Sequence, residues 1–241
     1  MVSALDRLAM SALVAAAPTT MVDEVLGAAG VAAERVRSLP PWVTIYHVLG
    51  SAMSPLANYD EVTDLLWTTL PAATGRGLSR QRPTRGAITR ARSRLGTEPL
   101  TLLLRQTLRA VSEVGAKTDV ELHRFEPPGT PGLWWVSEPG TGALRGCDVR
   151  GAGLDIAEAL LRSTAVTHVT VDLPEAAVAA LQQRMAPDVH VVAGLQSATT
   201  ETPWLGLRAR TRAAWEQDAL ARACVCVALE RALAIARQDP F

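Results

Sequence analysis

The hydrophobic period of this chain changes as the sequence proceeds, and that change limits the folds open to it. Over residues 1–112 apolar side chains recur at helical spacing. From about residue 119 short runs alternate as strands do, and the last segment returns to helical spacing. The pattern predicts an α+β or α/β chain with two domains. Residues 1–112 form an all-helical domain, and residues 119–241 mix strands with helices and end in one long helix. With 241 residues, 48% of them apolar, there is enough material for both cores.

Helix starts and stops are marked locally. Ser3 can cap "ALDRLAMSALVAAA", and a threonine can cap "TTMVDEVLGAAG". The prolines of "LPPWVTIYHVLGSAM" suit a first helical turn. Asn58 can cap "YDEVTDLLWTTL", with Asp60 and Glu61 set against the positive end of its dipole. "PAATGRGLSRQRP" reads as a loop broken by Gly and Pro. Next, Thr84 can cap a helix from Arg85 to about Leu95 that stops at Gly96. Ile88, Ala91 and Leu95 fall on one side of it, and Arg85, Thr89 and Arg92 on the other, flanked by Arg90 and Arg94. Docked on the preceding helix, that segment makes a helix-turn-helix-like element with a long loop.

Charge singles out the same stretch. From Arg76 to Gly96 there are seven arginines and no acid, although the two signs balance over the whole chain. Residues 1–112 hold 12 Arg against 8 acids, and the remainder holds 11 Arg and one Lys against 16 acids. A basic front and an acidic back point to a module that faces a polyanion.

In the second part "DVELHRF", "GLWWVSE" and "ALRGCDV" read as strands, and the alternation over 144–194 predicts βαβαβ with a small parallel layer. The final helix is expected to bury Trp215, Ala219, Ala223, Cys226, Leu229 and Leu233. The adjacent Trp134 and Trp135 suit a core, or with that helix a homodimer surface. Three cysteines argue against a disulfide framework and for a cytoplasmic chain, and four scattered histidines argue against zinc. The start "LAMSALVAAAP" lacks the positive flank of a signal peptide, and no run is long enough for a membrane span.

Residues "LDRLA", "LPPWVTIYHVLGSAM", "NYDEV" and "PTRGAITRARSRLGTEPL" occur in an order that resembles the N-terminal domain of insertion element four transposases. In the last segment Thr84, Ala87, Ile88, Thr89, Ala91, Arg92, Arg94, Leu95, Gly96, Glu98, Pro99 and Leu100 fit the family pattern. The resemblance implies binding to double-stranded DNA. Arg85, Thr89 and Arg92 would then face base edges, and Arg80, Arg82, Arg90 and Arg94 would meet phosphates. About six neutralised phosphates predict a salt slope near −5.

The resemblance also implies a following RNase H-like domain with an Asp-Asp-Glu triad and magnesium, here in shortened form. "VTHVTVDLPE" is similar to the strand that ends in the second aspartate, which is Asp172, and Gln217-Asp218 stand where a Gln-Glu pair follows the triad. Glu126 lies near the place of the first acid in the wrong context, and Glu201 and Glu216 are poor stand-ins for the third. The expectation is therefore a DNA-binding regulator or architectural factor derived from a transposase, with its triad incomplete, no cofactor, and magnesium only if that site were intact. An active transposase is one alternative. Another comes from "CDVRGAGLDIAEALLRS", which is similar to the cofactor loop of S-adenosylmethionine-dependent methyltransferases. There Gly151 and Gly153 would lie under the cofactor and Asp172 would hold its ribose.

Overall fold

The computed structural model describes residues 3–31, 39–112, 118–194, 207 and 211–238. In chain order its elements are α1 (Ala4–Ala16), α2 (Thr19–Ala28), α3 (Pro41–Met53), α4 (Tyr59–Thr74), α5 (Arg85–Leu95), α6 (Glu98–Ser112), β1 (Thr118–Phe125), β2 (Leu133–Ser137), β3 (Leu144–Asp148), α7 (Leu154–Ser163), β4 (Val166–Val171), α8 (Glu175–Gln182), β5 (His190–Ala193) and α9 (Arg212–Gln238). This is a mixed α+β chain with a helical front, a five-stranded sheet flanked by helices and a long last helix. Two compact units result: Met1–Thr107 with Arg208–Phe241, and Leu108–Leu207. The expected division into 1–112 and 119–241 places α9 in the second domain, whereas α9 packs against α1 and α3 in the first unit.

In the first unit local chemistry sets the helix ends. Ser3 and Asp6 form a capping box on α1, and Asn58 and Glu61 form another on α4. At α2 the N-cap is Pro18 rather than a threonine, and it makes no side-chain cap bond. The expected loop begins late: α4 runs through Pro71 to Thr74, since Pro71 removes only one donor, and it stops at Gly75 with φ +68°. The central element is α3, whose residues Val43 to Gly50 are all buried. A Cβ on Gly50 would meet Met10 at 3.0 Å and Val62 at 3.2 Å, so glycine allows this close helix crossing. Tyr46 donates its hydroxyl to Ala17 O at 2.6 Å.

Of the expected buried face on α9, Trp215, Ala219 and Ala223 are in the core, Cys226 and Leu229 are half-buried, and Leu233 is exposed. Leu220, Ala221, Cys224, Val225, Val227 and Ala228 are buried instead. The helix is enclosed on several sides rather than along a single stripe. The cysteine at depth is thus Cys224, 3.6 Å from Leu100 O, and burial pushes its thiol pKa up.

The second unit holds the sheet, ordered β3-β2-β1-β4-β5. β1, β2 and β3 form an antiparallel meander, while β1, β4 and β5 run parallel. The expected parallel layer over 144–194 is therefore corrected, because β3 pairs with β2 and β1 takes its place beside β4. Val120, Leu122, Trp134, Val136, Val169 and Val171 form a core with Leu160 and Leu161 of α7 and Leu181 of α8. Trp134 and Trp135 are both buried, which removes them from any dimer surface. Among the described residues no single helix is long and apolar enough to cross a membrane.

Candidate nucleic-acid interface

Thr84 accepts a hydrogen bond from Ala87 N at 3.2 Å, so the N-terminus of α5 is capped as expected. Gly96, with φ +66°, ends the helix. Ile88, Ala91 and Leu95 are buried. They seat α5 chiefly on α3, not on the preceding α4 as the helix-turn-helix outline expected. The loop between α4 and α5 is drawn back by Trp67, whose Nε1 donates to Ser79 O at 2.9 Å.

Acids absent from the arginine stretch in sequence reach it in space. Arg76 pairs with Asp23 of α2 and lies 5.3 Å over the Trp42 ring. Arg82 pairs with Asp64, and Arg85 donates its Nε to Asp60 at 3.0 Å, both acids being on α4. The bond from Arg85 holds the Asp60 carboxyl below its ordinary pKa. Arg80, Arg90 and Arg94 are exposed and make no ion pair among the described residues. Thr89 is also exposed, its hydroxyl donating to Arg85 O at 3.0 Å.

Arg92 corrects the sequence expectation most sharply. Placed there among the base-reading residues, it is only 8% exposed. Its Nε donates to Gln217 Oε1 at 3.0 Å, one terminal nitrogen donates to the Tyr59 hydroxyl at 3.1 Å, and the other pairs with Asp218. Gln217 returns two bonds through its amide nitrogen, to Arg92 O at 3.0 Å and Gly96 O at 2.8 Å. A buried guanidinium persists only with its donors satisfied, and here all three of its nitrogens have partners. His47 lies edge-on to Tyr59, ring centroids 5.4 Å apart; burial first, then the Arg92 charge, pushes its pKa down to about 4. The sequence signal for this clamp was a glutamine set between the buried positions Trp215 and Ala219, since a polar group in a core needs a partner.

The candidate triad acids have separate surroundings. Asp172 is exposed just past β4. The register of β1 on β4, ending at Leu122 and Val171, brings His123 level with it. His123 is buried, stacked on Trp135 at 4.7 Å, with Nε2 2.8 Å from Ser137 Oγ and 3.6 Å from a Glu121 oxygen. Glu126 is an exposed residue 3.7 Å from Arg124, and Glu216 is paired with Arg212 at 2.7 Å. Glu201 lies outside the described residues. Among the described residues no group of three or more acids, histidines or cysteines could hold a metal ion.

The glycine loop has a different explanation. Gly151 and Gly153 follow β3, Asp172 follows β4, and β2 and β1 lie between those strands. At the usual strand spacing this is about 14 Å of sheet, so the loop and its supposed ribose acid are not brought together. Gly153 is the N-cap of α7, and its carbonyl accepts from Trp134 Nε1 at 3.1 Å.

Residues 7–105 match the family model described as insertion element 4 transposase N-terminal. No curated protein and no solved structure matches the chain.

Proposed function

We propose that this chain, whose residues 7–105 match the insertion element 4 transposase N-terminal family model, binds double-stranded DNA through the exposed side of α5. In this reading it is a regulator or architectural factor derived from a transposase, and it does not cut DNA. The observation that carries the reading is the set of exposed arginines without ion pairs among the described residues, Arg80, Arg90 and Arg94, at and beside a capped helix inside the matched segment. Arg90 and Arg94 with Thr89 are the candidates for the groove, and Arg80 for a flanking phosphate. Arg82 and Arg85 are partly neutralised by Asp64 and Asp60, and Arg92 is structural.

One feature favours loss of cutting, and it lies beside Asp172. The sheet, an antiparallel meander sharing β1 with a parallel crossover layer, suits an RNase H-like remnant. In such a remnant the strand beside Asp172 offers His123, tied to Ser137 and Trp135, where a carboxylate would be required. One aspartate cannot strip and hold two magnesium ions.

The test is selection of duplexes from a random pool followed by gel shift, with Arg90→Ala and Arg94→Ala beside the unaltered chain. Enrichment of a site, lost in the variants, is expected. No duplex bound at low salt overturns DNA binding, and magnesium-dependent nicking overturns the inactive reading.

A further inference from the structure

The clamp on Arg92 joins positions separated by 125 residues. It acts at the C-terminal end of α5, where the last carbonyls run out of helical partners and the carbonyl of Arg92 accepts only the capping bond from Gly96 N at 3.3 Å. Gln217 takes up the carbonyls of Arg92 and Gly96 there, and Asp218 and Tyr59 hold the guanidinium. Two residues along an α-helix is a turn of about 200°. Holding Arg92 inward therefore directs Arg90 and Arg94, two places before and after it, to the opposite side.

Resting on the DNA-binding reading above, we infer that Gln217 and Asp218 are positioning residues for the DNA-reading surface, fixing the rotation of α5 from α9. The reading unit is then discontinuous: the segment matched over 7–105 is completed by a helix that starts at Arg212. Gln217 and Asp218 touch no DNA in this arrangement and act only through Arg92 and the end of α5.

Charge gives the test a clear sign. Asp218→Asn removes a negative charge, which by electrostatics alone tightens binding to a polyanion. Lost positioning acts in the opposite direction, because apparent affinity falls with the fraction of chains holding the competent conformation. In the full chain, with a selected duplex, we expect Asp218→Asn to bind about tenfold more weakly if the seated fraction drops to about a tenth. The salt slope should be unchanged, since the phosphate-facing arginines remain. Asp218→Glu should restore most of the affinity. Gln217→Met, which removes both amide donors and leaves every charge in place, should also weaken binding and carries the test if the Asn variant does not fold. Hydrogen exchange without DNA should show faster exchange over residues 90–96 and unchanged protection in α3. An Asn variant that binds as tightly as the unaltered chain, with α5 equally protected, overturns the inference. If the unaltered chain binds no duplex, the DNA-binding reading falls along with the reading role, and exchange alone decides whether the clamp orients α5.

Discussion

Two aspartates on α4 should limit how strongly this surface attracts a duplex. Asp60 and Asp64 hold Arg85 and Arg82, leaving Arg80, Arg90 and Arg94 without an ion pair among the described residues. With about 0.9 of a counterion released per phosphate charge neutralised, these three guanidinium groups, in the groove or on the backbone, predict a slope of log K against log salt of about −2.7. That is shallower than the value near −5 expected from sequence for about six neutralised phosphates. The double variant Asp60→Asn with Asp64→Asn frees two more guanidinium groups, and the slope should steepen to about −4.5. At 0.15 M salt the same arithmetic gives roughly a thirtyfold gain in affinity. The folded state should tolerate the change, because ion pairs this exposed contribute little to stability. Fluorescence anisotropy on a labelled duplex from 50 to 300 mM salt measures both quantities, with circular dichroism as the check on folding. An unaltered chain that already shows a slope near −5, and a double variant no different from it, would refute the reasoning. The carboxylates would then give way to phosphate and limit nothing.

Other expectations concern the unit that holds the helix. His47 is neutral in the fold with its pKa pushed down to about 4, against 6.5 when unfolded, so the unfolded chain binds its proton first. Its contribution is complete above pH 6.5 and is lost as pH falls from there to 4, about 3 kcal/mol in all. Urea midpoints across that range should follow the loss, and His47→Gln should lessen the slope. Ile88→Ala empties a fully buried site and should cost about 2–5 kcal/mol of stability, read from denaturant melts. With Cys147 replaced by serine, Ellman's reagent at pH 8 should react only slowly until denaturant is added. Burial raises both remaining thiols, Cys226 to about 11 and Cys224 further.

Much of this was legible because it is local. Caps at Ser3, Asn58 and Thr84, the stop at Gly96 and the apolar side of α5 depend on neighbours within a few positions, where one sequence carries the whole signal. The partner of that apolar side was not legible, since α3 and α4 both offer apolar faces and only packing chooses between them. The same limit hid the acids facing the arginine run. Asp23 lies 53 positions from Arg76, and Asp218 lies 126 positions from Arg92. It also hid the place of β3, because alternation of strands and helices marks crossovers without saying which strands become neighbours. The family resemblance reached the Gln217-Asp218 pair but carried no role for it.

The dependence of α5 on α9 bears on how the molecule is made. Translation runs from the amino end, so for well over a hundred codons the newly made front helices must wait for the strut that squares them. During that interval two of the three guanidinium nitrogens of Arg92 lack their α9 partners, and contacts this distant in sequence also slow refolding from denaturant. A premature stop or frameshift between codons 105 and 217 would leave the matched segment intact on paper and without its brace in the cell.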